Sequence, residues 1–156
     1  MKSWLFALLF FVFSMSVVAE DERKFDLKQF AQVYFSTMVS TQAPNATEKE
    51  LEAYLALLTD DVGHAHLPYV TDDSRSPDGK QAMRNGMTFY LGAHTEYQAE
   101  LLDVFIFNDS AVAIRYKDSA KGFHPQLKKA FSFTQTMMEV LEIENGKVAV
   151  IRKYHE

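Results

Sequence analysis

The period of the hydrophobic pattern changes near residue 95, and this change constrains the fold more than any other feature of the sequence. Before it, apolar residues recur at intervals of three and four, which indicates amphipathic helices; after it, they alternate with polar residues, which indicates strands. Four alternating segments rich in β-branched and aromatic residues follow one another: TEYQAELLDVFIF, AVAIRYK, KKAFSFTQTMMEVLEI and KVAVIRKYH. Helices first and a run of strands last predict an α+β domain.

Turn sequences separate these four segments. Asn145-Gly146 is a strong signal for a two-residue hairpin, and NDS at 108–110 is a second turn. The longer DSAKGFHPQ segment, residues 118–126, predicts an exposed loop. We also expect one short strand at VGHAHL, residues 62–67, before the third helix.

Three helices are predicted from their caps and apolar stripes. Asp26 can cap the first, Thr47 and Glu50 form a capping box for the second, and Asp78 can cap the third, which runs through Tyr90. The apolar stripes are Leu27, Phe30, Ala31, Tyr34 and Met38, then Leu51, Tyr54, Leu55 and Leu58, then Met83, Met87 and Tyr90. Asp60 and Asp61, directly after the second stripe, predict a turn.

The first residues have the layout of a secretory signal peptide. Lys2 precedes an apolar run from Trp4 to Phe13, and Val17 and Ala19 supply the small residues of a cleavage site. The alternative, an uncleaved anchor helix, needs roughly 20 apolar residues, more than this run provides. The sequence therefore predicts a signal peptide at residues 1–19, a single domain at residues 20–156, and secretion into the periplasm.

Charge and composition exclude several classes of function. Sixteen basic residues face 21 acidic ones, and cleavage would also remove Lys2. Nucleic acids and anionic membrane surfaces both require a basic footprint, so we expect neither as a partner after signal cleavage. An exported chain with no cysteine has no disulfide framework, so its stability must come from packing.

From residue 25 to 155 the chain resembles the nuclear transport factor 2-like superfamily, and within it the SnoaL-like and ketosteroid-isomerase-like proteins. The resemblance is carried by YLALLTDDV after the second cap, GKQAMRNGMTFYL as the third helix, and the closing EVLEIENGKVAVIRKYH hairpin. It implies a cone-shaped roll in which three helices pack on a curved, mainly antiparallel mixed sheet around an apolar cavity.

The same resemblance points to a catalytic base at His66. In ketosteroid isomerase a carboxylate base lies a few residues after paired aspartates and just before a proline, and counting from Asp60-Asp61 brings His66 to that position. The sequence departs from the family here, because an imidazole replaces the carboxylate. An imidazole can still abstract a proton near neutral pH. His64 lies on the same face of the strand as His66 and is a candidate substrate-binding residue.

A carboxylate also interrupts an apolar stripe on the long third segment. Counting back from the NG turn places Glu139 where the isomerase family carries an acid on the oxyanion side. In an apolar site Glu139 could stay protonated and donate to a substrate oxygen. Tyr34 matches the family's helix tyrosine and would donate to the same oxygen. The stripe's other members predict substrate-binding residues at Phe133, Gln135 and Met137.

Structural readings compete with these assignments. Histidines on a strand can be structural or solvent-facing, Tyr34 can be a core residue with a satisfied hydroxyl, and Arg115 and Arg152 fit a solvated strand face better than an anion site. The two histidines with Glu139 would also suit a divalent metal. Because the resembled family mostly works without metals, we predict neither a metal nor a cofactor.

Two functions follow from these observations. The leading hypothesis is a secreted SnoaL-like domain that binds a small, largely apolar molecule and catalyses cofactor-free proton transfer of the isomerase, cyclase or dehydratase type. The alternative is a non-enzymatic ligand-binding or dimerisation module, since a fold alone does not fix a function. In that case the sheet face carrying Thr134, Thr136, Met138 and Val140 would pair with a second copy.

Overall fold

The computed structural model describes residues 25–156, so the predicted signal peptide lies outside the described residues. Its helices and strands, in chain order, are α1 (Leu27–Thr41), α2 (Glu48–Leu55), β1 (Leu58–Leu67), α3 (Gly79–Thr88), β2 (His94–Asn108), β3 (Ala111–His124), β4 (Lys129–Glu144) and β5 (Lys147–His155). This confirms the predicted α+β order. Within these residues, no helix has both the length and the apolar character needed to cross a membrane.

The five strands form one open mixed sheet in the order β1-β5-β4-β3-β2. The pairs from β2 to β5 are antiparallel, and only β1 runs parallel to its neighbour, β5. At the β4–β5 hairpin, Asn145 and Gly146 both have positive φ, of 50° and 74°. A two-residue hairpin turn of type I′ requires positive φ at both positions, so the predicted NG turn is confirmed.

The helix caps agree with the sequence in two cases out of three. Asp26 Oδ1 accepts from the Gln29 backbone N–H at 3.0 Å, and the Thr47–Glu50 capping box is complete. Asp78 occupies the N-cap position of α3 but makes no side-chain capping bond. Its carboxylate instead accepts from the Ser76 hydroxyl. Helix α3 ends before Tyr90, which lies in the turn that follows.

The core lies between α1, α2 and the inner face of the sheet, defined here as the face that packs against the helices. Burying one large apolar side chain contributes about 1.5–3 kcal/mol, so this layer supplies most of the stability. Its fully buried members include Ala31, Leu51, Leu55, Leu58, Val112, Ile114, Leu141, Val148 and Ile151.

Two predicted connections are wrong. The DSAKGFHPQ segment is not a loop, because β3 continues to His124 and pairs with β4 along its whole length. The polar composition of this segment suggested a loop, but the neighbouring strand β4 supplies hydrogen bonds to its backbone and keeps it extended. Asp60 and Asp61 are not a turn but part of β1, and they pair with Lys80 and Arg75 at 2.7 and 2.8 Å.

Candidate functional site

A cavity of about 790 Å³ lies between the inner face of the sheet and the helices. Part of its lining is apolar, and the side chains there include Met38, Val62, Met83, Met87, Leu91, Met137 and Ile151. Polar side chains of the sheet gather in two places, one around Glu139 and the other around Asp118, and the segment between β1 and α3 adds Asp72, Ser74, Ser76 and Asp78 to the lining. We call these the Glu139 end and the Asp118 end of the cavity.

The Glu139 end is built by three adjacent strands. Glu139 on β4 pairs in register with Lys153 on β5, and Lys153 pairs in register with His66 on β1. All three side chains line the cavity. Because neighbours in register project from the same face of a sheet, the topology brings together residues that are far apart in sequence.

Glu139 is 1% exposed and is fully hydrogen-bonded. The Tyr116 hydroxyl donates to Oε1 at 2.7 Å, and the Tyr34 hydroxyl donates to Oε2 at 2.7 Å. Lys153 Nζ lies 2.8 Å from Oε1. Buried charges persist in proteins when they are paired and hydrogen-bonded, and Glu139 meets both conditions.

These partners decide the ionisation of Glu139. Burial raises the pKa of Glu139, but the Lys153 ammonium and the hydroxyls of Tyr116 and Tyr34 outweigh burial, and the pKa lies below its ordinary value. The prediction of a protonated Glu139 that donates to a substrate is therefore wrong. Glu139 is a carboxylate that accepts, and the donor next to the cavity is the ammonium of Lys153.

Tyr34 contacts Glu139 and Tyr54 but is not among the residues that line the cavity. Its side chain is fully buried on α1, and its hydroxyl lies 3.0 Å from the Tyr54 hydroxyl. Burial and the Glu139 charge raise the pKa of Tyr34 well above its usual range, so the hydroxyl stays protonated. In this position Tyr34 holds Glu139.

The two histidines of β1 line the cavity beside Lys153. Burial, with a smaller effect of Lys153, lowers the pKa of His64 to about 4. The same two causes and the nearby His155 lower the pKa of His66. Both imidazoles are therefore neutral at neutral pH, and each can accept a proton.

His66 is linked to the protein surface through His155. The two Nε2 atoms are 2.6 Å apart, and the rings are parallel, with an interplanar angle of 4°. Tyr69 packs edge-on against both rings. One imidazole must donate and the other accept in such a contact, so the pair can share a proton between the cavity and the exposed His155.

The Asp118 end is built on β3 and its neighbours. Asp118 is 6% exposed and lines the cavity with Tyr97, Gln135 and His94. The Tyr97 hydroxyl and Gln135 Nε2 each approach Oδ2 at 3.4 Å. Burial raises the pKa of Asp118, although Gln135, Lys153 and Tyr97 act in the opposite direction.

The structure brings most of the predicted site residues to one cavity. His64, His66, Phe133, Gln135, Met137 and Glu139 all line it. Arg115 and Arg152 do not; they form ion pairs with Glu156 and Glu142, among others. The binding and catalytic roles of the lining residues stay predictions.

Sequence reasoning missed Lys153, His155 and Asp118. A usable signal was present for each, because alternation puts Lys153 and His155 on the same strand face as the buried Ile151. The same rule puts Asp118 on the face of Ile114 and Tyr116. Asp118 was overlooked because its segment was interpreted as a loop.

A metal centre has no support in residues 25–156. No group of three or more His, Cys, Asp or Glu side chains there is arranged to hold a metal ion. Glu139 already has a lysine and two hydroxyls as partners, and the Nε2 atoms of His66 and His155 face each other.

Comparison with solved structures identifies the fold. An NTF2-like protein from Anabaena variabilis superposes with a TM-score of 0.61 and 18% identity over 83% of this chain and 88% of that one. An LEH-like epoxide hydrolase from Mycobacterium tuberculosis gives a TM-score of 0.57 and 13% identity over 82% and 84% of the two chains. A proposed polyketide cyclase from Pseudomonas putida gives 0.54 and 18% over 81% and 89%.

Comparison of the sequence itself gives no relative. No protein-family model matches the chain, and no curated protein matches it. Identities below one fifth establish architecture alone, and the three superpositions each span about four fifths of this chain or more. The chain therefore has the nuclear transport factor 2-like fold that its sequence resembles.

Proposed function

We propose that the cavity binds a small, largely apolar molecule and that the Glu139 end transfers a proton within it, without a cofactor. One observation carries this proposal: two neutral imidazoles lie beside an ammonium that a buried carboxylate holds in place. A neutral base next to a fixed positive charge is the arrangement that removes a proton from carbon and stabilises the anion formed.

His66 is the proposed base. Its pKa is lowered by burial, Lys153 and His155, so the imidazole is free to accept a proton at neutral pH. The contact with His155 gives that proton a route to solvent, because His155 is exposed. Transfer from the substrate carbon to His66, and then to His155, would restore the base after each turnover.

Lys153 is the proposed stabiliser of negative charge on a substrate oxygen. Its side chain is 22% exposed and is held at one end by Glu139. The Tyr34 and Tyr116 hydroxyls fix Glu139 in turn, so the ammonium is positioned before the substrate arrives. Preorganisation of this kind lowers a barrier because no group has to reorient during the reaction.

The structural neighbours fit this class of function. One is named an LEH-like epoxide hydrolase, and another is described as a proposed polyketide cyclase. The proposed setting is the periplasm, because residues 1–19 have the layout of a cleaved signal peptide.

The proton-transfer step can be tested with 5-nitrobenzisoxazole, an apolar probe that needs only a base. The base takes the proton from the ring carbon, the C–H electron pair completes a nitrile, and the N–O bond breaks to release a coloured phenolate. We expect the wild type to accelerate this elimination over buffer. General-base catalysis contributes roughly 10²–10⁴-fold, so His66→Ala should lower the rate by at least about 10².

Matched variants separate catalysis from folding. His66→Ala should leave the thermal midpoint nearly unchanged, and His124→Ala, a histidine outside the cavity lining, should keep the full rate. Lys153→Met should slow the elimination because the leaving phenolate loses its ammonium partner. A wild-type rate equal to that of buffer would reject the acid–base chemistry and leave a binding module.

A further inference from the structure

The Asp118 end of the cavity holds a carboxylate oxygen without a partner. Asp118 is 6% exposed, yet its Oδ1 accepts no hydrogen bond from any group in residues 25–156. The other oxygen, Oδ2, has only the two 3.4 Å contacts with Tyr97 and Gln135. These are longer than ordinary hydrogen bonds, whose N–H···O distances cluster near 2.9–3.0 Å.

An unpaired buried carboxyl oxygen is costly, because its hydration is lost and nothing replaces it. Glu139, on the same sheet face, has three partners within 2.8 Å. The chain can therefore satisfy a buried carboxylate fully, but at Asp118 it does not. Since Asp118 lines the cavity, a molecule bound there can supply the Asp118 carboxyl group with the short hydrogen bond that the protein does not supply.

The two polar ends are separated by a defined length of strand. Asp118 pairs in register with Gln135, and Glu139 lies four residues further along β4 on the same face. A strand rises about 3.3 Å per residue, so the Glu139 end and the Asp118 end are about 13 Å apart along the sheet. Met137 lines the cavity between them.

We propose that the cavity takes an elongated, two-ended molecule: an oxygen function at the Glu139 end, an apolar middle, and a hydroxyl or amino group that donates to Asp118. This inference rests on the proposed function for the identity of the reacting end. Asp118 acts in binding, as the anchor for the end that does not react, and it fixes the length of the ligand.

Straight-chain alcohols test this arrangement without any chemistry. A series of diols with a hydroxyl at each end, from butanediol to decanediol, is titrated into the purified protein by calorimetry beside the mono-alcohols of equal length. Decanediol is long enough to reach both the Glu139 end and the Asp118 end. We therefore expect it to bind about tenfold more tightly than decanol, which is the gain in affinity from one charge-assisted hydrogen bond. Butanediol reaches only one of the two ends, so the protein should not prefer it over butanol.

Variants assign the preference to Asp118. In Asp118→Leu the order should reverse, with decanol binding more tightly than decanediol, because the added hydroxyl then finds no acceptor. Asp118→Asn keeps an amide oxygen and should retain part of the preference, which guards against misfolding as the cause. Asp103→Leu, which changes a half-buried aspartate of β2 outside the cavity lining, should bind both alcohols like the wild type.

The outcomes for this inference and for the proposed function are distinct. If nitrobenzisoxazole is turned over but decanediol has no advantage over decanol, the two-ended ligand is rejected and the proton transfer stands. If decanediol is preferred in an Asp118-dependent way but the probe is not turned over, the anchor stands and the chemistry is rejected. Equal preference in the wild type and in Asp118→Leu would overturn the role of Asp118.

Discussion

At the residue scale, two buried carboxyl groups on one sheet face respond to burial in opposite ways. Burial raises the pKa of both Glu139 and Asp118. Glu139 receives an ammonium and two hydroxyl donors at short range, which outweigh burial and lower its pKa. Asp118 has two long contacts, so burial prevails and its pKa is raised. The two carboxyl groups therefore differ in their partners: Glu139 holds Lys153, whereas Asp118 has an oxygen without a partner in residues 25–156.

Acid should destabilise the protein through His64. Its pKa is about 4 in the folded protein against an ordinary value of 6.5, so the unfolded chain binds the proton first as pH falls. The contribution to stability is therefore complete above pH 6.5 and is lost progressively down to pH 4. Urea denaturation at pH 7 and at pH 4.5 should show a loss on the order of 2 kcal/mol from this residue.

The window from pH 6.5 to 4.5 isolates the imidazoles from Glu139. The lowered pKa of Glu139 adds a loss in the same direction, but only below its ordinary value of 4.5. His64→Gln should remove much of the slope in this window, and His66→Gln should remove a part. Because the raised pKa of Asp118 acts in the opposite direction, the test is the comparison of variants: an equal pH dependence of stability in the wild type and in His64→Gln between pH 7 and 4.5 would show that His64 is not buried in its neutral form.

The sequence was sufficient to predict which β4 residues share a face but not the ionisation of Glu139. Alternation along β4 identified Phe133, Gln135, Met137 and Glu139 as one face, and all four line the cavity. The charge on Glu139 depends on Lys153, which comes from a different strand. Its register with Glu139 is fixed by the hairpin and the sheet, so no pattern within β4 could reveal it.

At the element scale, the segment between β1 and α3 crosses β1 at close range. A Cβ added at Gly63 would lie 2.1 Å from the carbonyl oxygen of Asp73. Arg152 on β5 pairs with the Asp73 carboxylate, and Asp72, Ser74 and Ser76 of the same segment line the cavity. This segment therefore forms part of the cavity wall, and glycine at 63 permits its approach.

Gly63→Ala should displace that segment and lower stability by a few kcal/mol, because backbone atoms cannot move aside as a side chain can. The matched control is Gly86→Ala in α3, where an added Cβ meets nothing within 4 Å. In a helix interior this change should raise stability by about 0.5–1 kcal/mol. Thermal and urea denaturation of the two variants check both signs, and equal effects would contradict the close crossing at Gly63.

Local and non-local elements differed in how well the sequence predicted them. The Thr47–Glu50 capping box and the Asn145-Gly146 turn are closed within four residues, and both are confirmed. The prediction of a loop in the second half of β3 was wrong, because the strand there depends on pairing with β4. Its polar residues suggested a loop, and only the register with β4 explains why the strand continues to His124.

At the scale of the whole molecule, the sheet has an outer face that no helix covers in residues 25–156. Two rows of residues in register cross it: Phe105, Ala113 and Val140 in one, and Asp103, Arg115 and Met138 in the other. Phe105 is 46% exposed, and Phe107 on the same strand is 64% exposed. An apolar strip with charged neighbours is typical of surfaces that bind another protein.

A second copy of the chain is the expected partner, with the outer faces packed against each other. A specific interface of standard size buries about 800 Å² on each partner, which a five-stranded sheet face can supply. Light scattering of the purified protein should give the mass of a dimer, and Phe105→Glu should give the monomer because two carboxylates would face each other across the interface. The control is Phe89→Glu, equally exposed at 50% but on the helix side, which should stay dimeric.

Because the cavity opens on the other face of the sheet, the monomeric Phe105→Glu variant should still bind decanediol. Loss of decanediol binding together with dissociation of the dimer would mean that the second copy completes the cavity.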